Sequence, residues 1–291
     1  MTTNRTFTVL KQSCARTGLN ASGAAPLHHH AATLYLFEAD RVVVRLNNDS
    51  DDRARARIVV ELTRWLTRQN FPSVAPIDAE QPIDVDDYTV TFWRYYPQND
   101  RPKPTAGHLG AMLRQLHGLP TPPVELGQYQ PLKNFGDSVA ASTSLPAQDR
   151  GWLLARRAEV LGEYEQLDFP LGFGWIHGDA YPGNTLWDGD RALLGDWDEV
   201  GTGPRELDLV NTHQGARFGR PRAERDAFTE AYGYDITTWP GFPVLREMRD
   251  LHTLGSYIRL ADTGNEQAAI ELTFRLATLK RGDANTRWNA R

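Results

Sequence analysis

Cysteine is nearly absent: Cys14 is the only one among 291 residues. No intrachain disulfide can therefore form, and the fold must rest on packing and hydrogen bonds. No apolar run approaches the length that spans a bilayer, which argues against a helical membrane anchor. The opening stretch MTTNRTFTVLKQSCARTG lacks the long apolar core of a secretory leader. A cytoplasmic location is the simplest expectation. Dense basic stretches are missing too. The formal net charge is -5, with arginines scattered among acids, so neither nucleic acid nor a membrane surface is an expected partner. Repeats and low-complexity tracts are absent apart from the triplet His28 to His30.

The composition that remains is ordinarily globular, 40% hydrophobic and 24% charged. The length suits one large domain or two intimate lobes. The first hundred residues read as strands plus one helix. Ala24 to Leu27 is a candidate first strand. Thr33 to Phe37 and Arg41 to Leu46 are β-branched and aromatic, with a turn at EAD. DDRARARIVVELTRWLTRQN places Ile58, Leu62, Trp65 and Leu66 at helical spacing and ends near Asn70. DYTVTFWRYYP alternates like a strand and stops at Pro97. Beyond it the chain reads mainly helical. The break in YPQNDRPKP suggests two lobes, residues 1–96 and 97–291.

The stretch WIHGDAYPGNTLW, Trp175 to Trp187, carries the chemistry. His177, Asp179 and Asn184 form H-x-D-x-x-x-x-N, the spacing of the kinase catalytic loop with Gly in place of its Arg. TLWDGDRALLGDW then reads as a hairpin turning at Asp188-Gly189, which returns Asp196 beside Asn184. An amide oxygen and a carboxylate together suit a hard cation such as Mg²⁺. Asp188 and Asp190 read as hairpin residues rather than ligands.

IHGDAYPGNTLW and LLGDWDEVGTGPRELDLV resemble the catalytic and metal motifs of the aminoglycoside phosphotransferase / choline kinase-like family. LGAMLRQLHGL resembles that family's first C-lobe helix, and the likeness extends over nearly the whole chain. The resemblance implies an α+β, bilobal protein-kinase-like fold with a small β-rich N-lobe and a larger, mainly helical C-lobe. It implies transfer of phosphate from ATP or GTP, with Mg²⁺, to a hydroxyl of a small molecule. By the same resemblance Asp179 is the catalytic base, Asn184 and Asp196 hold metal, and Asp198 either touches a second metal or polarises the loop. Asp208 anchors the later motif to the catalytic loop, and His177 hydrogen-bonds the loop backbone.

Two features depart from the family pattern. Arg45 stands where kinases carry a strand lysine; its fork suits phosphate oxygens. Glu61 is the expected helix partner of Arg45. The covering loop over the nucleotide falls at His28 to Ala32, with His30 a phosphate-contact candidate. Backbone of Phe92 to Tyr96, Phe92 and Tyr95 foremost, is expected to receive the base. Trp239, Phe242, Tyr257, Phe274 and Trp288 either line an acceptor pocket or belong to the core. Acids and bases are balanced from Arg205 onward, which favours a neutral or aromatic acceptor over a polycation. The acceptor is an antibiotic or a metabolite, with resistance as one consequence, and the assembly is a monomer or homodimer. Two other readings stand beside this one: a non-catalytic nucleotide-binding or sensor protein, and a protein kinase. The latter is disfavoured by the missing A-P-E signature and activation segment.

Overall fold

The computed structural model describes residues 2–27, 33–48 and 52–289. Contacts divide the chain into two units. One comprises Met1–Pro104, Gly118–Leu126 and Gly183–Val200; the other comprises Thr105–His117, Gly127–Pro182 and Gly201–Arg291.

In the first unit β1 (Ala25–Leu27), β2 (Thr33–Phe37), β3 (Val42–Asn47), β4 (Ile83–Val85) and β5 (Tyr88–Arg94) form an antiparallel sheet in the order β1-β2-β3-β5-β4. The period of two in VVVRLN gives this sheet two different faces. Val44, Leu46, Val90 and Phe92 are buried in one core with Val9, Leu10 and Cys14 of α1 (Thr2–Thr17). Each such side chain contributes roughly 2 kcal/mol when fully withdrawn from water. Burial, and then the Asp40 charge, push the Cys14 thiol up to about 11, which leaves it inert at neutral pH. On the opposite face stand Arg45, Asn47, Thr89 and Thr91, with Arg45 directly across from Thr91.

α2 (Asp52–Arg68) follows β3 and buries Val59, Val60, Leu62 and Leu66. It stops where Asn70 takes a φ of 54°, a left-handed conformation that Asn tolerates at a helix end. Both α1 and β4 go beyond the sequence reading of strands plus one helix. The stripe of α1 is thin, interrupted by Thr and Lys, and becomes apolar enough only against the sheet.

Residues 183–200, which follow the break expected near residue 96, group with the first unit by their contacts. The cause is hydrogen bonding on both sides of the hairpin made by β7 (Thr185–Asp188) and β8 (Arg191–Leu194). Leu194 donates its N–H to the Pro72 carbonyl at 2.8 Å and accepts from the Val74 N–H at 3.0 Å. The Gln98 amide imitates a strand partner: its Oε1 accepts from the Trp187 N–H at 3.0 Å, and its Nε2 donates to the Trp187 carbonyl at 3.2 Å. The Arg101 guanidinium lies 4.0 Å from the Trp187 ring centre.

Helices dominate the second unit. α3 (Ala106–His117) packs on α7 (Arg222–Tyr232) so closely that a Cβ on Gly110 would stand 2.5 Å from the Phe228 carbonyl oxygen. α8 (Phe242–Asp262) is the hub; α4 (Lys133–Ala141), α5 (Ala147–Glu165), α6 (Leu207–Gln214) and α9 (Glu266–Lys280) all contact it. β6 (Phe173–Ile176) pairs with β9 (Gly201–Pro204) and delivers His177 at the strand end. Among the described residues no helix is long and apolar enough to cross a membrane.

Candidate active site

The hairpin of the first unit sets two oxygen-bearing side chains together. Thr185 pairs with Leu194, and Gly189 at φ 57° turns the chain. One position beyond the ladder, the Gly195 N–H donates to the Asn184 carbonyl at 2.9 Å. Asn184 and Asp196 therefore emerge at the same hairpin end. Asp196 adopts φ 61°, an uncommon conformation for a residue with a side chain. Its neighbours leave little choice. A Cβ on Gly195 would meet Val74 Cγ1 at 3.1 Å, and the Trp197 side chain is buried edge-on to Phe71. The exposed Asp196 is thus aimed by a buried tryptophan after it and a crowded glycine before it.

Asp198, expected to touch a second metal or polarise the loop, pairs with Arg45. Arg45 donates through Nη1 to Asp198 Oδ1 at 2.9 Å, and Nη2 lies 2.7 Å from Oδ2. This is a two-point fork, stronger than a single contact. It also corrects the pairing of Arg45 with Glu61. The α2 residues that share a pocket with Arg45 are Arg55, Ala56 and Val59, none of them acidic, whereas Glu61 lies on the exposed side of the helix. Asn47, Thr89 and Thr91 line the same pocket.

Phe92 is corrected as a base-contact candidate. Its N–H donates to Gln81 Oε1 at 2.7 Å, and its carbonyl accepts from Ile77 N–H and Gln81 Nε2, both at 3.1 Å. Tyr95 donates its N–H to the Arg41 carbonyl at 2.8 Å, so only its carbonyl side remains a candidate. His30 and the covering loop lie outside the described residues.

Within the second unit, Asp208 organises the H-G-D turn. Fully buried on α6, it accepts from the His177 N–H and the Gly178 N–H, each at 2.8 Å, and lies 3.0 Å from His117 Nε2. Burial pushes its carboxyl up, but the His117 hydrogen bond and the His117 and His177 charges outweigh this and hold it below the usual carboxylate value. Gly178 sits at φ 83°, where a side chain would be strained. The buried His177 ring accepts from the Asp179 N–H through Nδ1 at 3.3 Å.

Two residues that sequence reasoning missed hold the Asp179 carboxylate. Asn211 Nδ2 donates to Oδ1 at 3.2 Å, and Arg249 Nη2 donates to the same oxygen at 2.9 Å. Arg249 lies 70 positions away on α8, and no local motif marks it. The aromatic residues divide. Tyr257 and Trp288 are core, gathered round the buried Arg275. Phe242 stands edge-on to His213, and Phe274 is exposed. Trp239 donates its Nε1 hydrogen to the Asp168 carbonyl.

Residues 26–249 match the family model described as "APH: Phosphotransferase enzyme family". The chain belongs to this phosphotransferase family. Similar solved structures place the family fold in context. The amicoumacin kinase hAmiN, solved with AMP-PNP, Ca²⁺ and Ami, has TM-score 0.76 and 14% identity over 97% of this chain and 95% of its own. A choline/ethanolamine kinase family protein from Mesorhizobium loti has TM-score 0.64 and 18% identity over 97% and 94%. The aminoglycoside phosphotransferase APH(3'')-Id from Streptomyces rimosus has TM-score 0.60 and 19% identity over 82% and 97%. A search of the curated proteins found no match. The phosphotransferase has the kinase-like fold of these neighbours, with a β-rich N-terminal sheet and a helical C-terminal region.

Among the described residues no three His, Cys, Asp or Glu side chains gather into a ready metal cage. A hard divalent cation that keeps several waters takes only one or two protein oxygens together with phosphate oxygens. The hairpin end offers two such oxygen donors, Asn184 and Asp196.

Proposed function

We propose that this phosphotransferase is a small-molecule kinase that moves the γ-phosphate of ATP or GTP to an alcohol of a metabolite or antibiotic. The hairpin bond between Gly195 and Asn184 carries the reading, because it sets an amide oxygen and the left-handed Asp196 at one end of one hairpin. Asn184 and Asp196 would hold Mg²⁺, which when bound neutralises charge on the phosphates. Arg45 is the phosphate cation, and Asp198 holds it in place. Asp179 is the base: it orients the acceptor hydroxyl and takes its proton. Asp208 and His177 keep the turn carrying Asp179 in one conformation, so that little reorganisation is needed during transfer.

The test is ADP release and product phosphorylation, followed with Mg²⁺ and either ATP or GTP against a panel of hydroxylated antibiotics and metabolites. Transfer to at least one hydroxyl, lost in Asp179→Asn, is the expected result. Nucleotide binding without transfer to any acceptor or to water would favour a sensor protein instead. Phosphorylated protein substrates, with no small-molecule product, would favour a protein kinase.

A further inference from the structure

Arg249 is an expensive residue to place where it is. Its side chain is only 12% exposed, and its Nε and Nη1 are buried without a hydrogen-bond partner among the described residues. Withdrawing a guanidinium from water costs several kcal/mol, and a leucine or methionine would fill the same space on α8 without that cost. Its hydrogen bond to Asp179 offsets part of the cost and leaves a surplus of positive donors beside that carboxylate.

The acids on the same helix do not offset this surplus. Glu247 is forked by Arg156 through Nε and Nη2. Asp250 is forked by Arg217 at 2.9 and 2.7 Å and bonded by Gln214. Asp262 accepts from the backbone N–H groups of Thr143 and Ser144. His252, one turn beyond Arg249, is pushed down to about 3, first by the Arg249 charge and then by burial. It is therefore neutral near pH 7 and adds no charge of its own.

We propose that Arg249 is a positioning and specificity-determining residue: it holds the Asp179 carboxylate, and its N–H donors beyond that bond favour acceptors that are neutral or anionic beside the reacting hydroxyl and turn polycations away. This rests on the proposed role of Asp179 as the base. A polycation needs acidic walls, and on α8 each acid already has a partner. An acceptor with a carboxylate or carbonyl oxygen near its hydroxyl meets a favourable field, strengthened by the low local dielectric.

The experiment uses the full chain as wild type, Arg249→Gln and Arg249→Lys, with melting curves to check folding. Magnesium-dependent ATP binding and slow hydrolysis, with water as acceptor, are measured first. Glucuronate, a hydroxylated anion, and kanamycin, a hydroxylated polycation, are then titrated into the hydrolysis reaction. Glucuronate is expected to change wild-type turnover at a concentration at least about tenfold below that needed for kanamycin. The gap should close in Arg249→Gln and persist in Arg249→Lys. Kanamycin acting first, the same response or none to both probes, or a gap that survives Arg249→Gln each overturns the proposal while leaving the kinase reading intact. A wild type that neither binds nor hydrolyses ATP overturns the kinase reading, and the inference falls with it.

Discussion

In each unit one arginine meets a carboxylate of the candidate site, and these two pairs are built differently. In the first unit Arg45 and Asp198 meet fork to fork, and both side chains are 30% exposed. In the second, Arg249 and Asn211 converge on a single oxygen of Asp179, and the arginine is far more buried than Arg45. The first pair is internally matched, one planar cation against one planar anion, while the second is rich in donors. Under the proposed function the working member also differs. Arg45 works and Asp198 holds it; Asp179 works and Arg249 holds it. On that reading the same type of ion pair serves phosphate recognition in one unit and proton acceptance in the other, and mutations should separate the two in kcat and KM.

The largest effect belongs to Asp179→Asn. An amide fills the same volume and can still meet Arg249, but it cannot take the hydroxyl proton. Transfer should fall by about a thousandfold while nucleotide affinity stays near wild type. Turnover within tenfold of wild type would remove Asp179 from the working role and break the comparison at its second half. Asp196→Ala should come next. Calorimetry with and without Mg²⁺ should show nucleotide affinity reduced about tenfold or more with the metal present and little changed without it. Equal losses in both conditions would mark Asp196 as a folding residue, in keeping with its left-handed backbone.

The matched pair is probed by a double-mutant cycle. Arg45→Ala should raise the KM for ATP about tenfold without a matching change for the acceptor, and Arg45→Lys should recover part of it. Asp198→Asn should give a smaller rise of the same kind. Their coupling should be about 1 kcal/mol, modest because both groups are partly solvated. Glu61→Gln should leave both constants unchanged. Additive losses for Arg45 and Asp198 would mean that the fork does not persist in solution.

Local pattern made much of this legible. The alternation in VVVRLN set the two faces of the sheet, and Asp188-Gly189 marked the hairpin that carries Asn184 to Asp196. The pairings failed where chain topology decided them. Glu61 lies at a plausible helical distance from Arg45, but its helix presents Arg55, Ala56 and Val59 to the pocket instead. Phe92 looked like an available backbone because nothing in its own strand announced that the Gln81 side chain would take both its polar groups. Arg249 sits in an ordinary amphipathic helix, and only the fold, which buries it and brings it to Asp179, distinguishes it from a surface arginine. Sequence order puts residues 183–200 after the expected break, whereas their hydrogen bonds tie them to Pro72, Val74 and Gln98 of the first unit.

Acid also probes the second unit, through its stability rather than its activity. His213 is buried on α6, edge-on to Phe228 and Phe242, and burial pushes it down to about 4 from an ordinary 6.5. In the folded chain the ring is therefore neutral between those two values, while in the unfolded chain it takes up a proton. The unfolded state then binds more protons, so stability falls as the pH drops from about 6.5 to 4 and levels off below. The full loss is on the order of 3 kcal/mol. Asp208, whose carboxyl is held low, adds a further loss only at more acidic pH, so the two contributions occupy separate windows. Denaturant melts of wild type and His213→Gln at pH 7, 6, 5 and 4 isolate the first window. The variant should start somewhat less stable at pH 7, because the aromatic packing is poorer, and should lose less stability on acidification. Hydrogen exchange should place the acid-sensitive amides of the wild type in α6 and α7. Parallel curves for the two proteins would show that His213 is not the titrating group.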